Sequence, residues 1–213
     1  MPYTTPTDRK ARWAFFRQWL KNPIGVAAVS PSSRQLARRM IAALPSSTSR
    51  IIELGGGTGA ITEALLASGI PPAGLMVMEL NEAMHQTLRQ RFPDIGLHLG
   101  NATEVHSLAE SSGFLDAGPA DAVVSSLGLL SMPRALQRDI VGAAFDCLRP
   151  DGRLVQFTYG PANPIVREVL DDLHLSSRRT SFTWWNMPPA TVYVYERRRS
   201  RSVPATRMGH RAP

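Results

Sequence analysis

The stretch I-I-E-L-G-G-G-T-G-A-I-T contains one glutamate and three glycines at alternate positions, and a second glutamate follows it in the chain. Glu53 stands two residues before the first of these glycines, and Glu79 follows 20 residues after the last. The glycines are Gly55, Gly57 and Gly59. A glycine-rich turn between a strand and a helix lets the backbone approach a ligand closely and directs helix amides toward it. An acidic residue about 20 positions farther on suits the hydroxyl pair of a ribose. The pattern therefore predicts a site for a ligand that contains adenosine.

Three classes of adenosine ligand can occupy such a loop. Gly55, Gly57 and Ala60 satisfy G-x-G-x-x-G/A, which is typical of NAD sites. A nucleoside triphosphate loop is excluded because no Lys follows the glycines. The form E-x-G-x-G-x-G, which begins at Glu53, is associated with S-adenosylmethionine, whose ammonium group needs nearby acceptors. Asn101, in G-N-A, can accept a hydrogen bond from the adenine amine, although methyltransferases more often have Asp there. We predict S-adenosylmethionine, with NAD and a non-binding loop as alternatives.

The elements around these residues alternate between strands and helices. Strands are predicted at 50–54, 74–80, 95–100, 121–130 and 153–160, and helices at 31–44, 59–68, 81–92, 133–148 and 164–175. An R-P-D-G turn separates the helix at 133–148 from the fifth strand. This alternation predicts a parallel sheet.

Two further β-runs flank the turn M-P-P-A and predict a terminal hairpin. Five strand–helix units that end in a hairpin are the layout of S-adenosylmethionine-dependent methyltransferases. We therefore predict an α/β fold, a Rossmann-like seven-stranded methyltransferase sheet that is mostly parallel with a C-terminal antiparallel hairpin, plus N-terminal helices.

Length and composition limit the kind of protein. A chain of 213 residues with 43% hydrophobic content is long enough for one sizeable domain. The single cysteine, Cys147, excludes an intramolecular disulfide and fits a reducing compartment. Neither a signal peptide nor a membrane span is expected, because no long uninterrupted apolar run occurs. We expect a soluble or peripheral protein.

The net charge of +7 is unevenly distributed. Residues 1–50 carry +8 and residues 196–213 carry +5, which leaves −6 for the residues between them. Basic ends around an acidic body predict an anionic partner, either a lipid surface or nucleic acid. We divide the chain into a membrane-associating segment at 1–30, a methyltransferase domain at 31–197 and a basic disordered tail at 198–213.

The segment from residue 8 to residue 21 favours the lipid surface. Wound as a helix, it places its aromatic and leucine side chains on one arc and several basic side chains opposite. Such a helix suits an anionic headgroup layer. The alternative is a helix that packs its aromatics on the domain. The predicted membrane contacts are Lys10, Trp13, Phe16, Arg17, Trp19 and Leu20.

The segment after the fourth strand bears on the methyl acceptor. Enzymes that methylate adenine or protein amides usually carry N-P-P-Y/F at this place, and the chain has S-S-L-G-L-L. The absence of that motif weakens the hypothesis of a planar base as the acceptor.

Three segments together resemble one family. The first segment is F-F-R-Q-W-L-K-N-P-I-G-V-A-A-V-S-P-S-S-R-Q-L-A-R-R-M and the second is the glycine loop. The third is F-T-Y-G-P-A-N-P followed by W-W-N-M-P-P-A-T-V-Y-V-Y-E-R. These segments are similar to the bacterial phospholipid N-methyltransferases, which make phosphatidylcholine from phosphatidylethanolamine. The resemblance runs from about residue 15 to residue 197. It implies successive methyl transfers to the ethanolamine nitrogen, S-adenosyl-L-homocysteine as the second product, and a first helix that lies on the membrane.

The resemblance also implies roles for individual residues. Glu53 and the glycines form the cofactor loop, Glu79 holds the ribose, Asn101 meets the adenine, and residues 30–33 close over the methionine end. The predicted cofactor contacts are Ser32, Ser33, Glu53, Gly55, Gly57, Thr58, Gly59, Glu79, Leu80, Asn101, Ala102 and Ser125.

The acceptor is expected beyond the carboxyl ends of the strands, where ligands of such sheets bind. We predict that Tyr159 orients the amine, with water or lipid phosphate taking the proton; the alternative is that Tyr159 only packs under the cofactor. Leu127, Trp185, Asn186 and Trp19 are the predicted substrate contacts, and the tryptophans with Tyr159 are candidates for a cage around a quaternary ammonium.

Three functions remain open. Phospholipid N-methylation on the inner face of the cytoplasmic membrane is preferred; an RNA adenine N6-methyltransferase and a non-catalytic membrane or RNA adaptor are the alternatives. Nucleic acid is not the expected partner. No metal site is predicted, because the five histidines lack ligand spacing. They are His85, His98, His106, His174 and His210.

Overall fold

The structure is a computed structural model that describes residues 31–159, 161–183 and 190–198. Its strands are β1 (Ile51–Leu54), β2 (Leu75–Glu79), β3 (Gly96–Leu99), β4 (Ala120–Ser125), β5 (Leu148–Tyr159), β6 (Leu175–Thr183) and β7 (Ala190–Arg197). Its helices are α1 (Pro31–Ile41), α2 (Ala60–Ala67), α3 (Glu82–Arg91), α4 (Val105–Ser111), α5 (Arg134–Asp146) and α6 (Arg167–Asp172).

The described strands form one seven-stranded sheet in the order β3-β2-β1-β4-β5-β7-β6. The first five strands of the chain pair in parallel, and β7 joins β5 and β6 in antiparallel register. The strand order reverses between β1 and β4, which lie side by side. Ligands of such sheets bind at this reversal, beyond the carboxyl ends of the strands. This fold confirms the predicted class.

Helices cover the two faces of the sheet, because its central strands are apolar on both sides. β1, β2 and β4 are buried along their whole length. One face packs against α4, α5 and α6, and the other packs against α1, α2 and α3. The two layers hold β1 and β4 rigidly, so the loops at their carboxyl ends start from fixed positions.

Two tyrosines of β7 fasten the segment that follows β5. The Tyr193 hydroxyl donates to the Pro161 carbonyl at 2.6 Å, and the Tyr195 hydroxyl donates to Asn163 Oδ1 at 2.6 Å. Asn163 Oδ1 also accepts from the Ile165 amide at 3.1 Å. The antiparallel end of the sheet therefore anchors the chain where it leaves the carboxyl end of β5.

The predicted R-P-D-G turn is not a boundary of the fifth strand. β5 begins at Leu148, and the turn residues form an irregularity within it. Ala120 of β4 pairs with Leu148, whereas Ala122 pairs with Arg153, so the extra residues bulge out of the ladder. Turn residues inside a strand are accommodated by such a bulge, which sequence periodicity does not reveal.

The last predicted helix is also shorter than expected. It was predicted at 164–175, but α6 ends at Asp172. His174 has a positive φ of 53°, which ends the helix, and β6 begins directly at Leu175 rather than near residue 180. Cys147 is buried, and burial raises the pKa of its thiol to about 12, so the thiol stays protonated at neutral pH.

Candidate active site

The glycine loop leaves β1 and passes over the end of β2. The amides of Gly55 and Gly56 both donate to the Met78 carbonyl, at 2.8 and 3.2 Å. Gly55, Gly57 and Gly59 have φ values of 82°, 53° and 81°, a left-handed region that other residues rarely adopt. The loop conformation therefore requires glycine at these predicted positions.

Gly55 and Gly57 have different surroundings, the first closely packed and the second open. A Cβ on Gly55 would lie 2.8 Å from Ser126 Oγ and 3.0 Å from Leu127 Cδ2. A Cβ on Gly57 would have only the Gly55 carbonyl oxygen near it, at 4.0 Å. The loop is therefore pressed against the segment after β4 at Gly55 and opens outward at Gly57.

Glu79 connects this loop to the end of β2. Its Oε2 accepts from the Gly57 amide at 2.8 Å, and its Oε1 accepts from the Asn81 amide at 2.8 Å. An ionised carboxylate has about four acceptor sites, so each oxygen can accept one more hydrogen bond. Two further acceptor sites suit the two hydroxyls of a ribose, the role predicted for Glu79.

Glu53 lies beneath the loop and is shielded from solvent. Thr62, in the first turn of α2, donates its hydroxyl hydrogen bond to Glu53 Oε2 at 2.7 Å. Glu53 Oε1 is buried and has no hydrogen-bond partner among the described residues. Burial raises the pKa of Glu53 to about 8, against the opposing effect of the Thr62 hydroxyl. A cationic group placed beside Oε1 would supply the missing partner and favour the ionised carboxylate.

Two exposed leucines, here called the leucine ledge, adjoin Glu79. Leu80 directly follows Glu79, and Leu99 ends the neighbouring strand β3; both are exposed. Exposed leucines at neighbouring strand ends offer a flat apolar surface of the kind on which a planar base can lie. Ala102 is half-buried next to this ledge.

Asn101 is engaged differently from its predicted use. Its Oδ1 accepts from the Thr103 amide at 3.1 Å, and Glu104 Oε2 accepts from the Asn101 amide at 3.3 Å. The side chain thus caps the short 3-10 turn at residues 102–104. One lone pair of Oδ1 and the Nδ2 group remain for a ligand, and the adenine contact stays a prediction.

The segment after β4 closes the site on its other side. Ser125 is buried and its hydroxyl accepts from the Leu127 amide at 3.3 Å. The neighbouring Ser126 hydroxyl donates to the Gly55 carbonyl at 2.5 Å. Ser126 and Leu127 therefore touch the glycine loop at Gly55, and the predicted cofactor contact of Ser125 stays a prediction.

Tyr159 is the last residue of β5, at the same edge of the sheet. It is partly exposed, and its ring contacts Phe157 edge-on with centroids 5.5 Å apart. Burial of part of the ring raises the pKa of its phenol, so the hydroxyl is neutral at physiological pH. A neutral phenol can both donate and accept a hydrogen bond.

Several predicted residues cannot be placed. Ser32 and Ser33 lie in the first turn of α1, but their side chains are not described. Thr58 lies in the glycine loop, where its backbone carbonyl accepts a hydrogen bond from the Arg91 side chain. The remaining predicted contacts lie outside the described residues: Lys10, Trp13, Phe16, Arg17, Trp19, Leu20, Trp185 and Asn186. Trp185 and Asn186 belong to the segment between Thr183 and Ala190. Thr183 and Ala190 pair with each other in the sheet, and Ala190 also pairs with Tyr159.

Four polar residues near this edge escaped the sequence analysis: Thr62, Ser126, Gln137 and Gln156. Thr62 is nine residues after Glu53, and only the strand–loop–helix geometry brings them together. The two glutamines are polar residues inside otherwise apolar segments, which is a readable signal.

Neither a membrane-spanning helix nor a metal cluster occurs in the part of the chain that the structure describes. None of the helices in these ranges combines the length and apolar content needed to cross a bilayer. Groups of three or more potential metal-binding side chains are likewise absent from the same ranges.

Known proteins match both the sequence and the fold. Residues 51–152 match the family described as "Methyltransferase domain". An ornithine lipid N-methyltransferase from Singulisphaera acidiphila is 29% identical over 185 residues, which cover 84% of this chain and 92% of that protein. A ribosomal RNA small subunit methyltransferase A from Synechococcus is 39% identical over 95 residues, but these cover 43% of this chain and 32% of that protein.

Among solved structures, the N-methyltransferase NodS from Bradyrhizobium japonicum, determined with S-adenosyl-L-homocysteine, has a similar fold. The TM-score is 0.60 at 17% identity, over 80% of this chain and 89% of NodS. The chain thus has a Rossmann-like methyltransferase fold. The family match and this neighbour together support S-adenosylmethionine as the cofactor. The orphaned Glu53 Oε1, the free acceptor sites of Glu79 and the leucine ledge fit its ammonium, ribose and base.

Proposed function

Given this S-adenosylmethionine-dependent methyltransferase fold, we propose that the protein methylates the amine of a membrane lipid headgroup. The preferred acceptor is phosphatidylethanolamine, followed by its monomethyl and dimethyl derivatives. The observation that carries the proposal is the similarity to an ornithine lipid N-methyltransferase, which extends over 84% of this chain. The resemblance to phospholipid N-methyltransferases in the segments at both ends of the domain supports the ethanolamine headgroup.

The distribution of exposed apolar side chains supports a lipid acceptor. Every large hydrophobic side chain found exposed in the described ranges lies at the carboxyl edge of the sheet: Leu80 (70%), Leu99 (48%), Leu130 (37%), Tyr159 (38%) and Val166 (36%). Leu80 follows β2 and Leu99 ends β3, on the cofactor half. Leu130 follows β4, Tyr159 ends β5 and Val166 follows β5, on the half where the acceptor is expected. An apolar rim on that half suits a molecule with acyl chains.

In the proposed mechanism, the protein's residues hold the two reactants and manage one proton. S-adenosylmethionine supplies a methyl group bonded to a positively charged sulfur. Glu53 would face its ammonium group and Glu79 its ribose. The acceptor amine has a Lys-like pKa and is mainly protonated at neutral pH, so it must lose a proton before it attacks.

Tyr159 is proposed to orient that amine. Its hydroxyl is neutral, because burial raises the phenol pKa, so it accepts a hydrogen bond from an amine N–H rather than removing the proton as a phenolate. Water or the lipid phosphate takes the proton. The nitrogen lone pair then forms the new C–N bond as the C–S bond breaks, and S-adenosyl-L-homocysteine leaves.

Several further contacts belong to this proposal. Trp185 and Asn186 lie in the sequence between Thr183, which ends β6, and Ala190, which begins β7. Ala190 pairs with both Thr183 and Tyr159. Trp19 is proposed to complete an aromatic cage for the methylated ammonium. The basic aromatic segment at residues 8–21 is proposed to lie on an anionic membrane, on the inner face of the cytoplasmic membrane.

RNA adenine methylation is the second candidate. The 39% identity to a ribosomal RNA methyltransferase favours it, although the match covers 32% of that protein. The segment S-S-L-G-L-L after β4 lacks the N-P-P-Y/F motif that grips a planar amine. The match to the lipid enzyme covers nearly twice as much of this chain.

A panel of acceptors tests the proposal. The purified full chain receives labelled S-adenosylmethionine together with phosphatidylethanolamine vesicles, ornithine lipid vesicles or small-subunit ribosomal RNA, in separate reactions. We expect label in phosphatidylethanolamine. Label in ornithine lipid alone would keep the lipid class and overturn the headgroup assignment, and label in RNA alone would overturn the proposal.

A further inference from the structure

Two buried glutamines hold the segment that follows β4. Gln156, in β5, and Gln137, in the first turns of α5, are 0% and 2% exposed. Both direct their amide nitrogens at backbone carbonyls of residues 127–132. A buried side-chain amide must find partners, because an unsatisfied one costs about 1–3 kcal/mol. Both amide nitrogens find partners in this segment, whereas Gln156 Oε1 is buried with no hydrogen-bond partner among the described residues.

Gln156 fastens the start of this segment. Its Nε2 donates to the Leu127 carbonyl at 2.8 Å and to the Phe157 carbonyl at 2.6 Å. Two carbonyl partners identify this atom as the nitrogen of the amide. The Leu127 carbonyl also accepts from the Leu129 amide at 2.8 Å, so both of its lone pairs are used.

Gln137 fastens the end of the same segment and reaches a second one. Its Nε2 donates to the carbonyls of Leu129 and Met132, at 2.8 and 3.2 Å. Its Oε1 accepts from the Val166 amide at 3.0 Å, in the segment that follows β5. One side chain therefore links the segment after β4 to the segment after β5, with every polar atom engaged.

The two linked segments carry the apolar rim of the acceptor side. Leu130 lies between the two residues whose carbonyls Gln137 holds, and Val166 supplies the amide that Gln137 accepts from. Gln137 thus joins the segment that carries Leu130 to the amide of Val166 by direct hydrogen bonds. The cofactor side, by contrast, is held by Glu53, Thr62 and Glu79, none of which contacts Gln137 through a described hydrogen bond.

We propose that Gln137 is a positioning residue that holds two segments of the acceptor side, residues 127–132 and 163–166 (the two walls), at the spacing needed for methyl transfer. The acceptor's identity as a lipid amine rests on the function proposed above, whereas the coupling of the two walls rests on the hydrogen bonds alone. Small displacements of a bound reactant can lower a reaction rate strongly. Loss of Gln137 therefore impairs acceptor use and leaves cofactor binding intact.

The variant Gln137→Met tests this role, because methionine has a similar volume and neither donates nor accepts strongly. Gln90→Met, on the exposed face of α3, is the matched control. We measure the affinity for S-adenosyl-L-homocysteine by calorimetry and the initial rates with phosphatidylethanolamine vesicles. For Gln137→Met we expect kcat/KM for the acceptor to fall roughly tenfold or more, with cofactor affinity within about twofold of wild type. Equal loss of cofactor affinity, or an unchanged kcat/KM, would overturn the proposal.

A second variant and a second measurement separate positioning from folding. Val166→Pro removes the amide that Gln137 accepts from and replaces the Val166 side chain by the proline ring, at a residue whose φ of −69° already suits proline. Hydrogen exchange in both variants should rise in residues 127–132 and 163–166 together, with exchange in the glycine loop unchanged. Unchanged hydrogen exchange in those two segments would contradict the proposal that Gln137 couples them. If wild type methylates no lipid, the lipid function fails, while the exchange experiment still decides whether Gln137 couples the walls.

Discussion

Glu53 is a carboxyl group placed where water does not reach it. Burial raises its pKa to about 8, and one of its oxygens has no hydrogen-bond partner among the described residues. In the unfolded chain the pKa of the same group is close to the ordinary glutamate value of 4.5. Between these two values the folded protein binds more protons than the unfolded protein, so the contribution of Glu53 to stability is lost as pH rises through about 8. A site that binds a cation can tolerate this cost, because the ligand supplies the compensating charge.

The pH dependence of Glu53→Gln follows from this sign. Glutamine does not titrate, so the variant should gain stability relative to wild type as pH rises from 5.5 to about 8.5. The gain should not exceed about 1.4 kcal/mol per pH unit for one group. Urea unfolding of both proteins at three pH values measures it. A stability difference that stays constant over this range would contradict the buried, proton-binding carboxyl.

Tyr159 separates orientation of the acceptor from binding of the cofactor. Tyr159→Phe keeps the ring that packs on Phe157 and removes only the hydroxyl. We expect kcat to fall about 10- to 100-fold, since a group that orients the reacting amine acts mainly on the chemical step. Affinity for S-adenosyl-L-homocysteine, measured by calorimetry, should stay close to wild type. A variant with wild-type kcat would reduce Tyr159 to a packing role.

At the scale of elements, the parallel sheet brings together residues that are far apart in the chain. β1 and β4 are neighbours, so the glycine loop meets Ser126 and Leu127. The glycine spacing and the acidic residue at the end of β2 could be predicted from the sequence, because local backbone geometry dictates them. The contacts of Ser126, Gln137 and Gln156 were not, because they depend on which loops the strand order places side by side. The bulge within β5 escaped prediction for the same reason, since only its pairing with β4 makes R-P-D-G part of a strand.

A pair of glycine variants tests the close approach of the loop. Gly55→Ala introduces a Cβ 2.8 Å from Ser126 Oγ at a φ of 82°, whereas Gly69→Ala introduces one at a φ of 99° with nothing within 4 Å. Both pay about 1–2 kcal/mol of backbone strain. Only Gly55→Ala should also lower affinity for S-adenosyl-L-homocysteine, by roughly tenfold or more, as measured by calorimetry. Equal affinity in the two variants would show that the loop is not in tight contact there.

At the scale of the whole molecule, the basic charge is concentrated towards the two ends of the sequence. Residues 1–50 carry +8 and residues 196–213 carry +5, around a negatively charged middle. The exposed apolar side chains of the described ranges lie at one edge of the sheet. Such a molecule can approach an anionic surface through its ends while its apolar rim faces a lipid.

The triple variant Trp13→Ala, Phe16→Ala and Trp19→Ala tests the membrane contact. We expect binding to anionic vesicles, measured by sedimentation, to weaken at least tenfold, because three apolar anchors are lost. Affinity for S-adenosyl-L-homocysteine should not change. Arg207→Ala with Arg211→Ala is the control that removes charge without removing aromatics, and it should weaken binding less. Full vesicle binding by the triple variant would contradict the proposed anchor.

The most direct test of the central claim counts methyl groups on the lipid. The full chain is incubated with S-adenosylmethionine carrying a labelled methyl group and with vesicles that mix phosphatidylethanolamine with an anionic lipid, and the lipids are separated by mass spectrometry over time. We expect monomethylated, then dimethylated, then trimethylated phosphatidylethanolamine to appear. Vesicle lipids that stay unlabelled while the protein binds the cofactor would contradict it.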